Sequence, residues 1–140
     1  MKYLAIYRSP ETTTPPSTEM MTNMGNLIQE MTEKGVLLGT EGCLPTAKGV
    51  RVRLSKGKIT ITDGPFTETK EVVGGFALFE VKSKEEAIEW TKRFIKIAGD
   101  GECEVRQIAT EDDFGDQFTP ELREQEERNR AALAGRAKNR

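Results

Sequence analysis

The sequence predicts an α+β fold, in which two β-α-β units share one sheet and a β-hairpin is inserted between them. Three features of the 140 residues indicate this fold. Short apolar stretches with the two-residue period of strands alternate with two segments of helical period. Residues 49–62 alternate between apolar and polar side chains around a tight turn, as a hairpin does. The order β-α-β, hairpin, β-α-β is that of the ferredoxin-like, split βαβ fold.

The first β-α-β unit occupies residues 2–44. Residues 2–8 predict a strand with two fairly apolar faces. Ser17 is a good N-cap for a helix, and Gly35 is a natural stop for it. The helix carries an apolar stripe made of Met20, Met24, Leu27 and Met31. This stripe either packs in the core or forms an adaptable binding surface. Residues 36–44 predict the second strand.

The inserted hairpin covers residues 49–54 and 58–62. Val50, Val52 and Leu54 alternate with Arg51 and Arg53 on its first strand, and two isoleucines alternate with two threonines on its second. Alternation of this kind is typical of a sheet with one buried and one polar face. We therefore expect the apolar side of the hairpin to be buried.

The second β-α-β unit occupies residues 72–109. Residues 72–81 are apolar on both faces, which predicts a central strand. Residues 83–86 form a capping box at the start of the second helix, and glycines at 99 and 101 end it. Residues 102–109 predict the last strand. Because the first and fifth strands are apolar on both faces, we expect two helices on one face of the sheet and a second subunit on the other.

The C-terminal segment has a different composition, so we predict a domain over residues 1–110 and a charged helical extension over 111–140. Thr119 and Pro120 predict the start of a helix. Oppositely charged residues spaced i, i+4 support it, in the pairs Arg123/Glu127, Glu124/Arg128 and Glu126/Arg130. Such a helix is marginal alone. It is either an arm that packs on a partner subunit or a loose tail.

Net charge, the length of apolar runs and the cysteines indicate which partners and which cellular location to expect. The net charge of −2, with both signs interleaved, argues against a nucleic-acid partner. No apolar run approaches the ~20 residues that cross a bilayer, and the N-terminus lacks the features of a signal peptide. We therefore expect a cytoplasmic protein with no membrane partner. Cys43 and Cys103 are expected to be free thiols.

The chain contains no histidine. This excludes Ser-His-Asp and Cys-His nucleophile activation and every histidine-based metal site. Acid/base chemistry here requires Asp, Glu, Lys, Tyr or Cys. The sequence also lacks a phosphate-binding P-loop and a dinucleotide fingerprint, so we expect neither a cofactor nor a metal.

Residues 59–76, ITITDGPFTETKEVVGGF, closely resemble the signature of YCII-related, DGPF-domain proteins. The likeness extends over about residues 1–110 and includes three shorter segments, 1–3, 87–90 and 104–106. The resemblance implies a bacterial homodimer with a dimeric α+β barrel. Some members are encoded beside or fused to extracytoplasmic-function sigma factors. Some related proteins carry a His-Asp pair suspected of catalysis, of which only Asp63 remains here.

Several polar residues near this motif are candidates for a site. Asp63 either caps the turn that it opens or acts as a catalytic carboxylate in a cleft between subunits. Glu68 and Lys70 either belong to a solvated loop or line the site beside Asp63. Arg51 and Arg53 either form a solvated hairpin face or bind an anion, since arginine presents a forked donor to carboxylate and phosphate.

Two further candidates lie on the predicted sheet. Arg106 either forms a cross-strand ion pair with Glu104 or faces the ligand, and Tyr7 is either a packed side chain with a bonded hydroxyl or a proton donor. The first functional hypothesis is binding of a small molecule, with a regulatory role. The alternatives are an acid/base enzyme (isomerase, lyase or hydrolase) that uses Asp63, and a protein-interaction module that uses the C-terminal arm.

Overall fold

A computed structural model describes residues 1–138, which divide into two compact units, Met1–Ile108 and one that begins at Ala109. The elements follow one another as β1 (Lys2–Ser9), α1 (Thr18–Glu33), β2 (Leu37–Gly42), β3 (Val50–Ser55), β4 (Lys58–Asp63), β5 (Val72–Glu80), α2 (Lys84–Ala98), β6 (Glu102–Gln107) and α3 (Pro120–Lys138). The predicted α+β fold, with its two β-α-β units and the hairpin between them, is confirmed.

Four strands form one antiparallel sheet in the order β2-β5-β1-β6. The strand β1 lies inside this sheet, so that Leu4 is level with Leu78 on one side and with Arg106 on the other. The strands β3 and β4 form a separate two-stranded sheet. The insertion therefore extends the chain without adding strands to the main sheet.

Both helices begin at the residues that the sequence predicts. The Ser17 hydroxyl accepts a hydrogen bond from the Met20 backbone N–H at 3.1 Å. The Ser83 hydroxyl accepts one from the Glu86 N–H at 3.1 Å, while the Glu86 carboxylate accepts from the Lys82 N–H at 3.0 Å. These bonds satisfy N–H groups that have no partner within the helix.

The hydrophobic core lies between one face of the sheet and the two helices. Its residues include Tyr3, Ala5, Ala77 and Phe79 from the sheet and Leu27, Met31, Ala87 and Phe94 from the helices. Of the methionine stripe, Leu27 and Met31 are buried and Met24 packs against the core. The stripe of α1 therefore packs in the core, as the first of its two interpretations proposed.

The opposite face of the main sheet is also apolar at its centre. We call this surface the open sheet face; its residues are Leu4, Ile6, Phe76 and Leu78, which face one another across β1 and β5. All four are only partly buried. The helices pack on the other face of the sheet. The open sheet face therefore agrees with the prediction that these strands are apolar on both faces.

The hairpin differs from the prediction, because its apolar face is exposed in the single chain. Val50, Val52, Leu54, Ile59 and Ile61 keep between 51% and 70% of their surface accessible. The alternation of the sequence is real, since these residues share one side of the ladder. The expected burial is wrong for the single chain, because the hairpin forms a sheet of its own and its apolar face stays exposed within residues 1–138.

The second unit contains a short 3-10 segment, Glu111–Gln117, and the predicted helix α3. Arg128 and Arg130 form the expected ion pairs with Glu124 and Glu126, at 4.0 and 2.7 Å. Arg123 instead pairs with Glu111, a residue of the preceding segment, so its predicted pairing with residue 127 is wrong. None of the described helices is long and apolar enough to span a bilayer.

Candidate functional site

A cleft of about 600 Å³ lies beside the base of the hairpin in the first unit. Its walls come from the end of β1, the segment between β2 and β3, the start of β3 and the segment that leads into β5. Its charged lining residues are Arg8, Lys48, Arg51 and Glu71. Its apolar lining includes Leu44, Val50, Phe66, Val72 and Val73. The cleft is thus an apolar surface with more cationic than anionic groups.

The Asp-Gly-Pro-Phe turn builds one wall of the cleft by packing tightly on the segment at Thr46. A Cβ atom at Gly64 would lie 1.6 Å from the Thr46 carbonyl oxygen, so only glycine fits there. The Gly64 N–H donates to the Gly49 carbonyl oxygen at 3.0 Å. The Phe66 N–H donates to the Thr46 hydroxyl at 3.1 Å, and that hydroxyl also bonds to the Glu11 carboxylate at 2.8 Å. These contacts fix Phe66 in the wall.

Arg51 is held in the cleft by three contacts. Its guanidinium carbon lies 3.8 Å from the centre of the Phe66 ring, a close cation-π contact. The guanidinium forms an ion pair with Glu68 and donates to the Thr69 hydroxyl at 2.9 Å. The pKa of Glu68 is held below its usual value, first by a hydrogen bond from its own backbone N–H and then by Arg51. Glu68 contacts Arg51 but is not among the described lining residues, and its place in a site beside Asp63 stays a prediction.

Arg8 and Arg106 both bind Glu104, each at 3.0 Å. The two hydrogen bonds lower the pKa of Glu104, that from Arg106 more than that from Arg8. The predicted ion pair of Arg106 with Glu104 therefore forms, but within β6 and not across strands; Arg8 on β1 is the cross-strand partner of Glu104. Of the two arginines, Arg8 lines the cleft.

Of the seven residues predicted for the site, only Arg51 is among the described lining residues of the cleft. Asp63, Arg53 and Lys70 are exposed and do not contribute to the described walls of the cleft. Asp63 is level with Val50 in the hairpin ladder, so its side chain lies on the apolar side of the hairpin. The catalytic role of Asp63 stays a prediction, and the geometry of the cleft adds nothing to it.

Tyr7 lies on the helix side of the sheet. Its hydroxyl is 3.3, 3.0 and 3.1 Å from the carbonyl oxygens of Ala98, Gly99 and Asp100, at the end of α2. Its ring packs edge-on against Phe94. This arrangement fits the interpretation of Tyr7 as a packed side chain with a bonded hydroxyl.

Four residues of the site were not predicted as site residues: Arg8, Lys48, Phe66 and Glu71. They come from three segments that the fold brings together, and no periodic pattern connects them. Phe66 has one signal in the sequence, its place in the Asp-Gly-Pro-Phe motif, in which Asp63 and not Phe66 is the candidate site residue. The sequence indicated the turn but not the surface on which the turn packs.

Two further features of the described residues are their free cysteine thiols and their lack of a cluster of metal ligands. Cys43 lines the cleft and Cys103 lies on β6; both are free thiols, as expected. Burial raises the pKa of the Cys103 thiol. Within residues 1–138, no three cysteine, aspartate or glutamate side chains are grouped to hold a metal ion.

Comparison with known proteins places the chain in a family. Residues 1–112 match the YCII-related domain. An uncharacterized protein of Rhizobium meliloti (strain 1021) is 31% identical over 91 residues, which are 64% of this chain and 73% of that protein. The matched region contains every element of the main sheet, both core helices and the hairpin. The chain therefore belongs to the YCII-related domain family.

Proposed function

We propose that the chain binds a small anionic molecule with an apolar part in the cleft at Arg51, and that this binding has a regulatory role. The observation that carries the proposal is the position of the Arg51 guanidinium, whose carbon lies 3.8 Å from the centre of the Phe66 ring in a cleft with apolar walls. Ligand sites are typically apolar clefts with a few fixed polar groups, and a volume near 600 Å³ falls within their usual range.

Arg51 is suited to anchor a carboxylate or phosphate. Its guanidinium is planar and forked, and the Phe66 ring and the Thr69 hydroxyl hold it in one orientation. The side chain of Glu68, which is 68% exposed, now takes the place of an anion on this fork. A ligand carboxylate replaces Glu68, which returns to solvent at little cost because exposed ion pairs stabilise weakly.

The other lining residues determine which ligands the cleft favours. Arg8 and Lys48 add positive charge near the anchor, and Glu71 is the one carboxylate among the described lining residues. The valines and the aromatic ring favour a ligand whose other end is apolar. The alternative of an acid/base enzyme gains no support from the cleft, because Asp63 is outside its lining. The interaction role of the C-terminal arm and the cytoplasmic location stay predictions of the sequence.

We also propose that the chain is a homodimer whose sheets pack together through the open sheet face, as in a dimeric α+β barrel. Four large apolar side chains occupy the centre of that face, and Glu104 and Arg106 lie at its margin. An antiparallel sheet that exposes such a face gains hydrophobic free energy when another surface covers it.

Binding is tested by thermal shift with benzoate, phenylacetate and hexanoate, each compared with its uncharged amide. Arg51→Met removes the anchor, and Arg53→Met is the matched control, because both arginines lie on the same face of β3 and Arg53 is outside the lining. We expect at least one carboxylate, but not its amide, to raise the melting temperature of the wild type and of Arg53→Met only. Equal responses of the two variants, or no response of the wild type, would contradict the proposal.

A further inference from the structure

The β3–β4 hairpin presents a continuous apolar face that nothing in the described part of the chain covers. Val52 is level with Ile61 and Leu54 with Ile59 across the ladder, and Val50 continues the row at the base. Their exposed fractions are 51% or more. The other side of the hairpin is polar and carries Arg51, Arg53 and two threonines. We call the first side the hairpin face.

This exposure is unusual for a hairpin that stands alone. A two-stranded sheet is marginally stable in water unless a further strand or layer packs on it. Each of the five residues leaves about 100 Å² accessible to solvent, or on the order of 500 Å² for all five. This area matches the largest apolar patches of typical monomers, and such patches are often functional. Burial of the hairpin face would therefore stabilise both the hairpin and whatever complex covers it.

We infer that the hairpin face is a contact surface for a second copy of this chain. The same chain also carries the open sheet face, which is apolar and partly exposed. In an isologous pair each surface occurs twice, so the hairpin of one subunit covers apolar surface of the other and the reverse. Together the two surfaces approach the roughly 800 Å² per partner that a standard-size interface buries, whereas the hairpin face alone does not.

This inference rests on the proposed dimer and adds an element to it: the inserted hairpin is the arm that reaches the partner. It gives a physical reason for the sharp alternation of residues 50–61, which the single chain does not provide. Polar residues at these positions would cost the single chain little, since the positions are exposed there. Apolar residues at all five positions stabilise only the assembly.

The test is the mass of the full chain by light scattering and sedimentation, over a range of concentrations up to about 100 µM. Ile61→Glu and Leu54→Glu each place a carboxylate on the hairpin face. Thr60→Glu is the matched control, since Thr60 is next to Ile61 on β4 but lies on the polar side. Circular dichroism verifies that every variant is folded, and the exposure of both apolar positions predicts that it is.

We expect the wild type at twice the 15.6 kDa mass of one chain. Both apolar-to-Glu variants should raise the dimer dissociation constant at least about tenfold, because a carboxylate loses its water in the interface, while Thr60→Glu stays near the wild type. A wild type that remains at the mass of one chain would overturn both the dimer and this inference. A dimer that all three substitutions leave intact would overturn the hairpin contact alone.

Discussion

Gly64 is the residue on which the wall of the cleft depends most, and replacing it with alanine tests that dependence. Its backbone does not have the positive φ of several other glycines, so alanine meets no penalty from a left-handed backbone there. The penalty is steric, since the new Cβ would lie 1.6 Å from the Thr46 carbonyl oxygen. Ordinary contact begins at 3.4 Å, so the turn must move by nearly 2 Å.

Such a movement breaks two hydrogen bonds, from Gly64 to Gly49 and from Phe66 to Thr46. Each contributes about 1 kcal/mol, and the forced displacement adds about 1–3 kcal/mol. We therefore expect Gly64→Ala to lower the free energy of unfolding by about 3–5 kcal/mol, measured by urea denaturation. The same variant should lose the thermal shift with carboxylates, because Phe66 no longer supports Arg51.

Gly25→Ala is the matched control. Gly25 lies in α1, where an added Cβ meets nothing within 4 Å. Alanine in an exposed helix is favoured over glycine by roughly 0.5–1 kcal/mol, so this variant should be more stable than the wild type. A Gly64→Ala protein within 1 kcal/mol of the wild type would refute the argument that the turn packs on Thr46.

Three further predictions concern the core, the ion pairs and Tyr7. Phe79 is fully buried, so Phe79→Ala should cost about 3–5 kcal/mol in urea unfolding, whereas Phe114→Ala, at an exposed position, should cost under about 1 kcal/mol. The pKa of Glu104 is lowered in the folded chain, so its ion pairs stabilise the fold above about pH 4.5 and this stabilisation is lost as the pH falls through the lowered pKa. A carboxyl NMR titration should show that pKa rising towards 4.5 in Arg106→Met, and an unchanged value would contradict the assignment. Tyr7→Phe should cost about 1 kcal/mol in urea unfolding yet keep the carboxylate thermal shift; loss of the shift would place Tyr7 in the site.

Local patterns predicted the secondary structure well because each element depends on nearby residues. The serines at 17 and 83 cap their helices, and the alternating residues 50–61 form the predicted hairpin. Periodicity also separated the two faces of the main sheet. These features follow from side-chain direction and capping, which are set within a few residues along the chain.

The site was less predictable because it depends on approaches between distant segments. Arg51 and Glu68 were both candidates, but the contact of Gly64 with Thr46 leaves no signal in a single sequence except an unexplained glycine. Asp63 was a candidate because of its motif, yet it is not among the described lining residues of the cleft. The burial of the hairpin face was mispredicted because alternation indicates that a face is to be covered, not which molecule covers it.

The most direct test of the central claim is an NMR titration of the ¹⁵N-labelled protein with phenylacetate, observing the arginine Nε–H signals. The account predicts that the Arg51 signal shifts in a saturable manner, together with the backbone amides of Phe66 and Thr69, while the Arg53 signal stays unchanged. Equal shifts of Arg51 and Arg53, or shifts confined to residues outside the cleft, would contradict an anion site at Arg51.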